Sequence, residues 1–431
     1  MKEAVEYKTD PFKQISGVLD AAVYLAKENN SSAAEMLNIS DEYQRICALR
    51  DHSLGELSPE NVRLLYGEQL MLSASQIDVQ AKCRMEYFLY YGIKARERKE
   101  ISVDPAEFGT FVHDVLEHTC NDVLHRGGFH NVSAEETVQL ARGYAAEYAQ
   151  RFQELHSQRL EYLFQRNLME LDAIVKELWN ELSVSEFAPV AFELNFGQKN
   201  AEMPAVDIPG ADIPACVRGA VDRVDVWNHN GNHYYRVVDY KTGIKDFDYC
   251  DVFNGIGLQM LLYMFALENG EGVLGEHPRP VGVQYFPARI PYLSAEHKLE
   301  GSALENHWQS ALKRKGLVLK DAEILEAMEP GGPVRLNVQI KKGEICGHVM
   351  DREQMRQLKT HIFDTLRELV GQVASGNVEP NPYTRGNDYS ACRFCPYKTI
   401  CHYVTVPVRR NYAAMNAERF WEEIGKESRN G

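Results

Sequence analysis

The chain has 431 residues, 44% hydrophobic and 25% charged, enough for a large core and more than one substructure. Its formal net charge of −15 excludes a protein that coats nucleic acid by charge alone, because nonspecific affinity comes from neutralising phosphates. No apolar run is long enough to span a bilayer and MKEAVEYKTDPF has no apolar signal core, so a cytoplasmic protein with reduced cysteines is expected.

Residues 1–72 mix helical stretches such as QISGVLDAAVYLAKENN with no recognisable chemistry. The segment LSASQIDVQAKCRMEYFLYYGIKARER, 72–98, predicts a helix capped by Ser73 or Ser75, ending in the aromatic cluster Tyr87, Phe88, Tyr90 and Tyr91. Cys83 lies on it and, taken alone, reads as a buried thiol. Residues 104–128 predict a helix with Asp104 as cap, Pro105 in the first turn, Glu107 completing a capping box, and Gly127-Gly128 as the stop. Phe108, Phe111, Val112, Val115 and Leu116 form its stripe; His113 stands beside that stripe, and Gly109 one turn earlier permits close approach. A lone helical histidine is most often structural. From 133 to 186 the period stays helical, and FAPVAFELNFG, 187–197, reads as a strand in which Glu193 is expected at the surface.

The stretch ACVRGAVDRVDVWNHNGNHYYRVVDYKTG, from Ala215, is a hairpin: two β-rich runs flank Asn230-Gly231, the strongest short signal for a two-residue type I′ turn. In that register, residues whose numbers sum to 461 face each other. Asp222 then faces Asp239 at about 5 Å between Cβ atoms. A strand's period of two puts Lys241 on the same face. Facing carboxylates raise each other's pKa unless a cation lies between them. Hard oxygen donors suit Mg²⁺ or Mn²⁺, and a nearby ammonium can stabilise charge on an attacked phosphate. An isolated D…DxK is more often a solvated hairpin with scattered charges.

Helical period returns near Leu258, where Gln259 and Tyr263 share a face. A strand follows at 281–291, then an amphipathic helix at 351–376. The next segment is non-periodic and carries Cys392, Cys395 and Cys401 as C-x2-C-x5-C, a pattern for a metal centre. His402 is awkwardly placed as a fourth ligand. Cys83 suits better, and the absence of a second C-x2-C favours iron with sulfide over a zinc ribbon. Joining Cys83 to Cys392 closes a loop of about three hundred residues, so such a centre staples the fold.

With GTFVH ending in His113, GAVD ending in Asp222, VDYKTG carrying Asp239 and Lys241, and QMLLY carrying Gln259 and Tyr263, the sequence resembles the RecB-like branch of the PD-(D/E)XK nucleases. Within it the resemblance is to AddB-type nuclease domains, over about residues 55–404. LSASQIDVQAKCRMEYFLYYGI, VFNGIGLQMLLYMFAL, GVQYFPARIP and KGLVLKD carry it further. It implies an α/β, restriction-endonuclease-like mixed sheet flanked by helices, with helical insertions and a [4Fe-4S] cluster on Cys83, Cys392, Cys395 and Cys401. It also implies a metal held by His113, Asp222, Asp239 and the Tyr240 backbone carbonyl, with Lys241 as catalytic lysine and Gln259 and Tyr263 in support. The implied activity is Mg²⁺- or Mn²⁺-dependent hydrolysis of DNA in the 5′–3′ direction during break repair, alongside an AddA-type helicase–nuclease. The expected organisation is a helical region at 1–72, the nuclease at 73–404 and a helical tail at 405–431. No G-x4-G-K-[ST] occurs, so no ATP-driven motor is expected of this chain. AddB proteins are much longer, which leaves a separately encoded portion, a truncated product or a fragment. Competing readings are a catalytically silent scaffold that binds DNA ends, a Cas4-like nuclease, and a zinc-bound interaction module.

Overall fold

The computed structural model describes residues 17–50, 56–96, 105–150, 158–243, 245–289, 301–386, 389–401 and 409–430. The proposed Asp104 cap and His402 lie outside them. Two units are described separately. In the first, residues up to 58 with 376–379, helices Val18–Lys27, Ser31–Met36 and Ser40–Arg50 close around Ala22, Leu25, Ala34 and Ile39.

The second unit holds the main sheet and the helices that cover it. Its labelled helices are α1 (Ala74–Lys82), α2 (Pro105–His125), α3 (Ala134–Gln150), α4 (Gln158–Leu182), α5 (Gln259–Ala266), α6 (Arg352–Ala374) and α7 (Ala417–Asn430). The strands are β1 (Ala188–Phe196), β2 (Gly219–His229), β3 (Asn232–Lys241), β4 (Arg279–Pro287), β5 (Lys315–Leu319) and β6 (Val349–Met350). They lie in the order β6-β5-β4-β3-β2-β1. The pairs β1/β2, β2/β3 and β4/β5 are antiparallel, whereas β3/β4 and β5/β6 are parallel. This is the mixed sheet that the resemblance implied. A parallel pair needs a crossover, and α5 lies in the one between β3 and β4.

The hairpin register is the predicted one. Asn230 (φ 50°) and Gly231 (φ 72°) both take the left-handed conformation that a type I′ turn requires. The pairs run from His229↔Asn232 to Arg223↔Val238, and one further step sets Asp222 against Asp239. The leading segment departs from expectation: Ala215–Val217 leaves the hairpin and pairs with Leu70–Leu72 and Val206–Asp207 in a small separate sheet.

Both faces of the main sheet are covered, so its strands read as nearly continuous apolar runs. One face packs Val224, Val226, Tyr235, Val237 and Val283 against α5 and α6. The other packs Val238, Tyr240 and Phe286 against α2, α3 and α4. The helix predicted at 351–376 is α6, opened by a reciprocal Asp351/Gln354 capping box. Phe420 and Ile424 of α7 are fully buried in the first of these cores. Among the described residues no helix is long and apolar enough to cross a membrane.

Candidate metal centre

Five elements meet where β2 and β3 enter and leave the sheet. Helix α2 brings His113, β1 brings Glu193, β2 brings Asp222, β3 brings Asp239, Tyr240 and Lys241, and α5 brings Gln259. His113 Nε2 stands 2.9 Å from the Tyr240 carbonyl oxygen, which places the imidazole and that carbonyl side by side. Its Nδ1 lies 3.5 Å from Glu193 Oε1 and 3.5 Å from Asp222 Oδ2. Asp222 Oδ2 accepts the Tyr240 backbone N–H at 2.9 Å. On the other side Lys241 Nζ approaches Asp239 Oδ2 at 2.5 Å, and Gln259 Nε2 faces Asp239 Oδ1 at 3.5 Å. The side chains singled out in the hairpin, on α2 and on α5 are thus neighbours.

Glu193 was expected at the surface and instead completes the group. Ligand atoms of His113, Glu193 and Asp222 all lie within 4.8 Å of one another. A bulge between Pro189 and Ala191 shifts β1, and Phe192↔Arg223 and Leu194↔Val221 bracket a position opposite Asp222. Glu193 occupies it with φ 46°, a left-handed conformation that costs a non-glycine residue about 1–2 kcal/mol. Strain of this kind clusters at functional sites. The signal available in the sequence was a single acid within an otherwise apolar strand.

Burial and the charge of Asp239 push the Asp222 carboxyl up to about 7. Asp239 is also raised, by burial, against the lowering charge of Lys241. Burial would lower His113, but the Glu193 hydrogen bond, the Asp222 charge and the Tyr240 carbonyl together raise it to about 9. The site is a set of acids and one base that strain toward a cation.

Behind the sheet lies a charged network that the hydrophobic pattern did not reveal. Arg223 bonds Glu181 at 2.8 Å and Asp225 at 2.9 Å; Arg236 bonds Asp225 at 2.8 Å and Glu181 at 3.0 Å; Arg314 bonds Glu181 at 2.6 Å. All are buried. Against the cost of burial, Arg314, Arg223 and Arg236 hold the Glu181 carboxyl well below the usual range. Arg223 Nη1 also reaches the Tyr240 hydroxyl at 3.4 Å, so the network grips, from behind, the residue whose backbone joins His113 to Asp222.

Cys83, at the end of α1, lines one pocket with Cys392, Cys395 and Cys401. Arg84 N–H donates to Asn381 Oδ1 at 2.9 Å and the Tyr397 hydroxyl donates to the Ala95 carbonyl, tying the two distant segments together. Burial raises the Cys392 thiol and pushes Cys395 up to about 12. A bound metal reverses such a shift, since coordinated thiols are deprotonated.

Comparison with known proteins agrees with this geometry. A family model described as the PD-(D/E)XK nuclease superfamily matches residues 71–402. The chain is similar to proteins named as the B-type component of an ATP-dependent helicase/deoxyribonuclease. That of Moorella thermoacetica is 33% identical over 359 residues, 80% of this chain and 31% of the relative. Those of Thermoanaerobacter sp. and Clostridium novyi are 28% and 29% identical, over 85% and 87% of this chain and 33% and 34% of theirs. The chain thus spans about a third of the length of the relatives it matches.

Proposed function

Because this chain belongs to the PD-(D/E)XK nuclease superfamily, we propose that it is an exonuclease module that hydrolyses DNA phosphodiester bonds with Mg²⁺ or Mn²⁺ in the processing of double-strand breaks. One observation carries the reading: His113, Glu193, Asp222 and Asp239 converge on one point with Lys241 beside them. DNA as substrate and an AddA-type helicase–nuclease as partner come from the names of the relatives. A 5′–3′ direction, a cytoplasmic setting and a nuclease domain at 73–404 follow from the family resemblance.

The donor set fits the metal. Carboxylate oxygens with one imidazole suit Mg²⁺ or Mn²⁺, and the raised Asp222 and Asp239 are the groups a divalent ion would relieve. His113, Asp222, Asp239 and the Tyr240 carbonyl would hold it, with Glu193 close by. When bound, it polarises the scissile phosphate and acidifies a water nucleophile. Lys241 sets a positive charge beside Asp239, where charge develops on the attacked phosphate. Tyr240 N–H and His113 fix the Asp222 carboxylate from two sides.

We assign Cys83, Cys392, Cys395 and Cys401 to a [4Fe-4S] cluster. Four thiolates around one metal sit about 3.8 Å apart, given Zn–S bonds of about 2.3 Å. Among the described residues no three of these sulfurs lie within 4.8 Å of one another, which favours a multi-iron centre over one zinc.

The test of the activity is end-labelled linear DNA with purified protein and Mg²⁺ or Mn²⁺. Metal-dependent shortening that is absent from Asp239→Ala supports the proposal; equal activity in that variant, or none in the wild type, overturns it.

A further inference from the structure

Tyr263 sits one turn beyond Gln259 on α5, yet its ring does not face the open side of the site. It is only 6% exposed and meets Phe196 edge-on at 5.4 Å. Its hydroxyl is in hydrogen-bond contact with the Gln259 side chain and the Ala220 backbone, and burial pushes its pKa up to about 12. The ring fills space that a side chain at Gly219 would take: a Cβ there would stand 2.6 Å from Cε1, 2.8 Å from the hydroxyl oxygen and 2.9 Å from Cζ of Tyr263. Gly219 has no positive φ, so glycine is needed here for room and not for backbone freedom.

A line of contacts therefore leads from the first residues of β2, through the Tyr263 phenol, to the Gln259 amide, and from it to Asp239 Oδ1 at 3.5 Å. It bypasses the β2/β3 ladder and ends on the carboxylate whose other oxygen takes Lys241. We infer that Tyr263 is a positioning residue, seated in a slot that Gly219 leaves open, which acts through Gln259 to aim Asp239 and makes no contact with the nucleic acid. The inference rests on the nuclease reading for its account of what Asp239 holds. It deepens that reading by separating the residues that aim ligands from those that meet substrate.

The decisive variant is Tyr263→Phe, which keeps the ring and removes the hydroxyl. Three quantities are measured on the full chain: Mn²⁺ affinity by electron paramagnetic resonance without DNA, DNA affinity with Ca²⁺ in place of Mg²⁺, and the melting temperature. Loss of a group that orients a metal ligand weakens metal binding by about ten-fold or more. Tyr263→Phe and Gln259→Ala should each show that loss with DNA affinity unchanged, and together should lose no more than either alone. Gly219→Ala should show it as well, and should add nothing once Tyr263→Ala has emptied the slot. Weakened DNA binding with unchanged Mn²⁺ affinity in Tyr263→Phe overturns the inference, as does a variant unchanged in both. A wild type that binds Mn²⁺ but cleaves no DNA sinks the nuclease proposal alone, because the Mn²⁺ comparison still decides this one.

Discussion

Glu193 and Asp222 stand opposite each other across the β1/β2 ladder, with His113 Nδ1 at 3.5 Å from an oxygen of each. The bulge in β1 and the left-handed conformation of Glu193 produce this meeting. A glutamate pointing where the regular pleat directs would miss His113. Glu193→Gln should therefore weaken Mn²⁺ binding by about ten-fold, read by titration calorimetry. Glu193→Gly should share that loss while raising the stability of the metal-free protein by about 1 kcal/mol, since glycine takes positive φ without cost. A glycine variant that binds metal normally would remove Glu193 from the site.

Metal uptake should release protons, and the number should depend on pH. In the metal-free protein His113 titrates near about 9 and Asp222 near about 7. Between those values His113 is protonated and Asp222 ionised, so binding expels about one proton; below 7 it expels about two. Apparent affinity should thus rise with pH, about ten-fold per unit from 7 to 9 and more steeply below 7. Mn²⁺ titrations at stepped pH test this. A flat profile would mean that His113 is already neutral.

What the sequence revealed of this site follows from how locally each part is encoded. Asn230-Gly231 dictates turn and register together, so the facing of Asp222 and Asp239 can be counted from residue numbers alone. The spacing of Cys392, Cys395 and Cys401 is equally local. Glu193 depends on a bulge and on pairing with a strand far along the chain, and neither leaves a mark in the run AFELNF. Arg223, Asp225 and Arg236 look like solvent-facing charges, because a buried charge is legible only once its partners Glu181 and Arg314 arrive from elsewhere. The fit of Gly219 to Tyr263 is a matter of tenths of an ångström and has no sequence signature.

The buried network should dominate acid stability. Glu181 has a depressed folded-state pKa, so its stabilising contribution is fully present above its unfolded value and is lost as pH falls below about 4.3. Glu181→Ala leaves three arginines without their shared partner and should cost about 3–5 kcal/mol at neutral pH in urea unfolding. The difference between wild type and variant should shrink toward acid. A constant difference would mean that Glu181 contributes packing and not charge.

The four clustered cysteines should behave as one unit despite their separation. Cys83→Ser and Cys392→Ser should each abolish the broad absorbance of an iron–sulfur centre, its iron and its acid-labile sulfide. Cys346→Ser, on a small hairpin away from the pocket, should leave all three intact. One zinc without sulfide in the wild type would overturn the cluster assignment and leave the stapling role to zinc.

Asp239 and Lys241 touch at 2.5 Å, yet their variants should separate metal binding from turnover. Asp239→Asn removes a ligand and should lose Mn²⁺ affinity and DNA cleavage together. Lys241→Ala removes a cation from beside that ligand. Coulomb repulsion between the ammonium and a divalent ion disappears, so Mn²⁺ should bind at least as tightly as in the wild type. Turnover should nevertheless fall by about 10²–10³-fold, the usual cost of deleting one group that stabilises developing charge. Mn²⁺ titration paired with single-turnover cleavage on the same samples reads both. If Lys241→Ala lost metal affinity in step with activity, the lysine would be holding Asp239 in place, and its role in the reaction would have to be withdrawn.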